Sequence, residues 1–271
     1  MILLLFLPIV LADFNHLVRP NGPCFGDEAE WNCVRVWDLS EYEKLGDTDR
    51  YGFVEGEDRG SRDLNDLFDH GYNHSADIPQ FATNYLVLDF PEELRPVIEW
   101  YKNNRENGVN EIIPGNYAND KETDALSILS LDNHRNMHQM IQEIMKPILA
   151  WWVYQREDDL VFTSLYGVRE YHRDAMMLMH YDRHTTHHIS AVVHLYQEGM
   201  NEGWPFAIQV NDKVSEVFCA KPCLVLYESA KRAHGRPRRL QGDAYASAFI
   251  HYKLKDSLLE QFKEQLWKDE L

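Results

Sequence analysis

The chain has 271 residues and a formal charge of −17, with 44% hydrophobic and 12% aromatic side chains. That much apolar material supplies a core for one domain, or for one domain with a helical cap, and excludes a disordered chain. The acidic balance excludes nucleic acid and an anionic membrane as partners, because both demand a basic footprint.

Residues 1–12 are almost wholly apolar. The run from Ile2 to Leu11 has the length of a secretory h-region and is too short to anchor in a bilayer. Residues 1–12 are therefore expected to be a signal peptide cleaved after Ala12. Residues 13–80 are rich in Asp, Glu, Gly and Asn without sustained periodicity. They read as an irregular extension holding Cys24, Cys33 and the glycosylation sequon Asn73-His74-Ser75. Residues 85–90 form a predicted strand, after which Pro91 opens a helix to about Asn104, with Leu94, Val97, Ile98 and Tyr101 on one face. A longer helix is predicted over 133–155, where Met137, Ile141, Ile144, Met145, Ile148, Leu149 and Trp152 recur at three and four; Pro147 is expected to kink it.

From Val161 the period changes to two, and the residues turn β-branched and aromatic. Eight strands are predicted, at 161–171, 175–181, 188–197, 205–210, 214–220, 222–227, 231–237 and 244–252. Helices followed by eight short strands predict an α+β fold, a double-stranded β-helix (jelly roll) of about eight antiparallel strands supported by N-terminal helices. The expected organisation is an irregular and helical extension over 13–130, the jelly-roll domain with its packing helix over 131–260, and a tail over 261–271.

The tail ends Lys268-Asp269-Glu270-Leu271, the tetrapeptide read by the KDEL receptor, so the expected location is the endoplasmic reticulum lumen. No later segment approaches eighteen apolar residues, and no stable membrane insertion is expected. An oxidising lumen favours disulfides among the four cysteines. Three connectivities exist, of which local pairing, Cys24 with Cys33 and Cys219 with Cys223, is preferred. The spacings are not the close Cys-x-x-Cys knuckles of zinc sites.

Histidine is the residue that points to chemistry. Six of the thirteen lie between His172 and His194, and His234 lies in the predicted late strand 231–237. His180 and Asp182 stand at i and i+2, which on an extended chain project from one face. His234 follows Asp182 by 52 residues, enough strands for a jelly roll to return beside that pair. Two imidazoles and one carboxylate make a facial triad that leaves positions open on Fe(II). His172-Arg173-Asp174 has the same spacing and is the competing pair.

Around these ligands the order is Tyr171, His180-Tyr-Asp182, Ile189-Ser-Ala-Val-Val-His-Leu195, Lys221-Pro-Cys-Leu-Val-Leu-Tyr-Glu-Ser229 and His234. In that order the stretch from about 161 to 252 resembles the Fe(II)- and 2-oxoglutarate-dependent dioxygenase superfamily, within it the prolyl 4-hydroxylase-like branch. The resemblance implies that His180, Asp182 and His234 hold Fe(II) and that Tyr171 lies in the 2-oxoglutarate pocket. It also implies O2 as co-reactant, ascorbate to keep the iron reduced, and hydroxylation of a C–H bond. Lumenal residence makes a secretory polypeptide, with a prolyl-type residue, the leading substrate.

The chain departs from that pattern at Ala244, where those hydroxylases carry Lys or Arg for the far carboxylate of 2-oxoglutarate. A dianion still needs a fixed cation, and Arg suits a carboxylate bidentately. Arg236, two residues past His234, is the first choice, expected opposite the small Ala244, Ala246 and Ala248; Arg169 and Arg183 are the alternatives. Three rival readings stay open. They are the same chemistry on a small-molecule or lipid substrate, a lumenal binding module that has lost 2-oxoglutarate, and a zinc hydrolase built on His184, His187 and His188. No His-Glu-x-x-His motif supports the last.

Overall fold

A computed structural model describes residues 13–19, 24, 32–42, 78–81, 83–111 and 126–269. The expected signal peptide, the sequon at Asn73 and the last two residues of the retrieval tetrapeptide lie outside the described residues. Thirteen strands are described: β1 (Val34–Asp38), β2 (Tyr85–Asp89), β3 (Val109–Asn110), β4 (Leu126–Ser130), β5 (Leu160–Ser164), β6 (Gly167–His172), β7 (Met177–His180), β8 (Ile189–Glu198), β9 (Phe206–Val210), β10 (Lys213–Val217), β11 (Cys223–Tyr227), β12 (His234–Arg236) and β13 (Ala244–Leu254). The three longer helices are α1 (Arg95–Asn104), α2 (Arg135–Trp152) and α3 (Asp256–Asp269).

Two antiparallel sheets carry the fold. The larger runs β2-β11-β8-β13-β6-β4-β3, with β5 also on β13, and the smaller runs β1-β10-β9-β12-β7. Taken from β6 onward, consecutive strands pass between the sheets at every step but the β9–β10 hairpin, giving β6-β13-β8-β11 on one and β7-β12-β9-β10 on the other. That alternation is the strand order of a jelly roll. Between the sheets, Val192, Val225 and Tyr227 pack with Phe206, Ile208 and Val217. On the outer face of the larger sheet, Ala191, Val193, Leu224, Ala246, Ala248 and Ile250 pack against α1 and α2. The layers are therefore helix, sheet, sheet, and the second interface contains the functional cavity.

The periodicities explain most of this. Helix α2 buries Met137, Ile141, Met145, Ile148, Leu149 and Trp152 and runs through Pro147 without ending. Each of the eight predicted strands has a counterpart. The first divides at Leu165 and Tyr166 into β5 and β6, both on β13. The sequence shows no break there because Leu165-Tyr166 continues the apolar pattern. Gly167 is the marker: a Cβ on it would lie 2.4 Å from the Leu129 carbonyl oxygen.

Part of the stretch expected to be irregular is structured, and the expected tail is helical. Within 13–80, β1 pairs along β10 as the edge of the smaller sheet. Its inward groups are polar and evade a hydrophobic-period reading: Trp37 Nε1 donates to Glu216 at 2.8 Å, and Arg35 lies 3.7 Å from the same carboxylate. The expected tail over 261–271 begins inside α3, and Leu258, Leu259 and Phe262 pack on the core. Both local disulfides form, with Cα separations of 5.3 Å for Cys24–Cys33 and 6.3 Å for Cys219–Cys223. No described helix is long and apolar enough to cross a membrane.

Candidate metal centre

Strands β7 and β12 pair so that His180 and His234 stand directly opposite each other. Their ring centroids are 4.5 Å apart. Asp182 lies just past β7, its backbone N–H donating to the Ser229 carbonyl at 3.0 Å. From there Oδ1 is 3.8 Å from His180 Nε2 and 3.8 Å from His234 Nε2. One ligand atom from each residue lies within 4.8 Å of the others, and no other group of described residues meets that test. Cis ligands at bonds of 2.0–2.2 Å stand about 3 Å apart, so each imidazole–carboxylate pair needs less than an ångström of closure to share an ion.

The ring orientations suit a metal as well. His180 Nδ1 lies 2.7 Å from the Leu178 carbonyl and His234 Nδ1 lies 2.8 Å from the Arg232 carbonyl. A carbonyl only accepts, so both Nδ1 atoms carry the proton and both Nε2 lone pairs face Asp182. Burial, with the neighbouring His234, holds His180 down to about 4. Burial likewise lowers His234. Burial works to raise Asp182, but the imidazoles of His234, His251, His187 and His180 outweigh it and hold the carboxyl below its usual range. Neutral imidazoles beside an ionised carboxylate are the protonation states that a first-row divalent ion requires.

Gly235 makes this register available. A Cβ on it would sit 2.6 Å from the Leu178 carbonyl oxygen and 2.8 Å from that of Met177. Gly235→Ala is therefore expected to push β12 from β7, costing about 1–3 kcal/mol of stability and weakening metal binding. Thermal denaturation and an Fe(II) titration measure the two effects.

The triad opens into a cavity of about 360 Å³ that Tyr171, Arg236, Arg169, Arg183 and Tyr227 also line. Arg236 is 3% exposed. Its Nη1 donates to the Trp204 carbonyl at 2.6 Å. Its guanidinium carbon lies 4.7 Å from the Trp204 ring centre, 4.4 Å from Tyr245 and 5.6 Å from Phe206. Trp204 Nε1 in turn donates to the Arg238 carbonyl at 2.7 Å, locking the aromatic wall. No carboxylate among the described residues pairs with Arg236. Arg169, by contrast, is bound by Glu111 at 2.5 and 2.6 Å, and Arg183 is exposed at the rim. Tyr171 is buried with its ring 4.9 Å from Trp204.

The setting of Arg236 corrects one expectation. Ala246 and Ala248 belong to the helix-facing core, so the neighbour of Arg236 on β13 is Tyr245. Alternation along β13 places Tyr245, Ser247, Phe249 and His251 on the inner face.

His172 and Asp174 do not join the centre: His172 Nε2 contacts Ser127 Oγ at 3.2 Å, and Asp174 sits in a turn at φ 67°. Nor do the three histidines of the hydrolase reading form one site. His188 is buried with its Nδ1 accepting from the Leu254 N–H at 3.1 Å, while His187 lines the cavity and stacks on His251 at 4.0 Å. His251 was not singled out by the sequence; the inner-face alternation of β13 is the signal that marks it.

No protein-family model matches the chain, and no curated protein matches it at a significant level. Among solved structures, a prolyl-4-hydroxylase from Pseudomonas putida is 14% identical with a TM-score of 0.40, over 64% of this chain and 94% of its own. A prolyl hydroxylase from Trichoplax adhaerens, in complex with a hypoxia inducible factor oxygen degradation domain peptide fragment, is 11% identical with a TM-score of 0.45, over 70% and 88%. HygX from Streptomyces hygroscopicus, with nickel, 2-oxoglutarate and hygromycin B bound, is 11% identical with a TM-score of 0.41, over 64% and 84%. At such distances the chemistry of the centre rests on this chain's own side chains, set in a jelly roll that its own strand order defines.

Proposed function

We infer that the protein is an Fe(II)- and 2-oxoglutarate-dependent dioxygenase of the endoplasmic reticulum lumen that hydroxylates a C–H bond, with a prolyl-type residue of a secretory polypeptide as the target. The observation that carries this reading is one cavity holding both a two-His, one-carboxylate set and a buried arginine that has no acidic partner among the described residues. Iron, when bound, couples the oxidative decarboxylation of 2-oxoglutarate by O2 to hydroxylation, with ascorbate keeping it reduced. His180, Asp182 and His234 would hold the ion and leave positions open. Arg236 offers a fork of N–H donors to the far carboxylate of 2-oxoglutarate, and Tyr171 and Trp204 wall that end from water. In that role Arg236 would supply the charge that Ala244 does not, which supports turnover over the binding-module reading.

The test is incubation with Fe(II), ascorbate, 2-oxoglutarate and proline-containing peptides from secretory proteins. The expected result is succinate release stimulated by a peptide that gains one oxygen atom in mass. Stimulation by small molecules with no peptide modified would overturn the peptidyl assignment and leave the dioxygenase.

Two disulfides, with no free cysteine, suit an oxidising lumen and support the location together with the Lys268–Leu271 tetrapeptide. Masking Leu271 with a C-terminal tag is expected to send the protein to the medium. Unchanged retention would contradict retrieval through those residues.

A further inference from the structure

The imidazoles of His180 and His234 both approach Asp182 through Oδ1. Asp182 Oδ2 is buried and accepts no hydrogen bond. The group beside it is His251, whose Nδ1 lies 3.5 Å away. The same Nδ1 lies 2.6 Å from Ser190 Oγ, and Ser190 Oγ lies 2.6 Å from Ser229 Oγ. Ser229 Oγ donates to the His187 carbonyl at 2.9 Å.

The direction of that chain follows from its end. A carbonyl accepts, so the Ser229 hydroxyl proton is used there. Ser190 then donates to Ser229, and Ser190 Oγ accepts from His251. His251 therefore carries its proton on Nδ1, the nitrogen next to Asp182 Oδ2. The ring has little room to turn away. It stacks on His187 at 4.0 Å and 38°, and His187 is itself fixed by Thr186 Oγ1 at 2.6 Å and Ser164 Oγ at 3.3 Å.

We propose that His251, oriented by the Ser190 and Ser229 hydroxyls, is a positioning residue that holds Oδ2 of Asp182 away from the ion, so that Asp182 binds through Oδ1 alone. Its N–H, donated to Ser190 Oγ in this structure, would be shared with Oδ2 as a three-centre bond when a metal draws Oδ1 inward. A one-oxygen carboxylate keeps a coordination position open that a two-oxygen carboxylate would fill. The same backbone segment serves twice, since the Ser229 carbonyl anchors the Asp182 N–H while its hydroxyl orders the relay.

This inference rests on the metal reading of the triad, and its test is chosen to separate the two. The measurements are Co(II) and Fe(II) affinity and the visible absorption of the Co(II) protein, which responds to coordination number without turnover. His251→Phe keeps the ring stack and removes the N–H. It is expected to weaken metal binding 10- to 100-fold, the usual range for an outer partner of a ligand, and to change the Co(II) spectrum. His251→Asn restores an N–H near the Nδ1 position and is expected to recover both. Ser229→Ala breaks the relay without touching the neighbour of Asp182. It is expected to shift the spectrum in the same sense with smaller loss of affinity, and it serves if His251→Phe does not fold. A folded His251→Phe, or Ser229→Ala in its place, with wild-type affinity and spectrum would overturn the proposal. Equal damage from Phe and Asn would overturn it too, by showing a packing role only. Wild-type protein that binds neither ion would instead sink the metal reading.

Discussion

Replacing Arg236 by alanine is expected to raise the 2-oxoglutarate concentration for half-saturation by about 30-fold to several thousand-fold. Losing a charge-assisted pair to a carboxylate in a partly dry pocket costs about 2–5 kcal/mol, and about 1.4 kcal/mol is a factor of ten. Iron affinity should change little, because Arg236 touches none of the three ligands; its polar contact is the Trp204 carbonyl. The protein without 2-oxoglutarate should not lose stability in proportion. A buried cation with no acid beside it among the described residues is costly to the fold, and the faces of Trp204 and Tyr245 offset only part of that cost. Arg236→Met, which keeps the volume, should melt at least as high as wild type without ligand. It should also lose the rise in melting temperature that 2-oxoglutarate gives the wild type. A competition titration and paired melting curves measure both effects.

His234→Ala is expected to abolish metal binding and 2-oxoglutarate turnover together. Loss of a partner outside the ligand shell already costs 10- to 100-fold in affinity, so loss of one of three ligands should cost more than about 100-fold. His172→Ala should leave metal affinity unchanged, since that imidazole contacts Ser127 on the edge-ward side of the larger sheet. Equilibrium dialysis against Fe(II) or Co(II) compares the two variants directly. Equal losses would contradict the placement of the centre.

The sequence carries the jelly roll legibly because its strands are short runs rich in β-branched and aromatic residues set between turns, and its helices bury single faces. The His180 and Asp182 pair is legible because i and i+2 share a face whatever the surrounding topology. His234 needs only the knowledge that a jelly roll returns to its second strand. Other features depend on register, which alternation does not determine. A bulge between Ala246 and Ser247 sets how β13 meets β8, and the inner face of β13 then brings Tyr245 under Arg236 and His251 beside Asp182. In sequence, Tyr245, Phe249 and His251 look like the residues of any buried aromatic strand. Strand β1 is hidden for a different reason: Arg35, Trp37 and Arg238 converge on the fully buried Glu216, an ionic interior that leaves no hydrophobic period to read. The break at Leu165-Tyr166 is hidden because it is made by the approach of the Leu129 backbone to Gly167, a contact 38 residues away in sequence.

The two halves of the centre, three ligands and one arginine, make a joint claim: a 2-oxo acid binds the ion at one end and Arg236 at the other. Anaerobic mixing of the protein with Fe(II) and 2-oxoglutarate tests it most directly, because a 2-oxo acid chelated to Fe(II) gives a visible charge-transfer band before any substrate is known. The band is expected in the wild type, absent in His234→Ala, and restored in Arg236→Ala only at far higher 2-oxoglutarate. Wild-type protein that binds Fe(II) but shows no band at saturating 2-oxoglutarate, and releases no succinate when oxygen is admitted, would contradict the account.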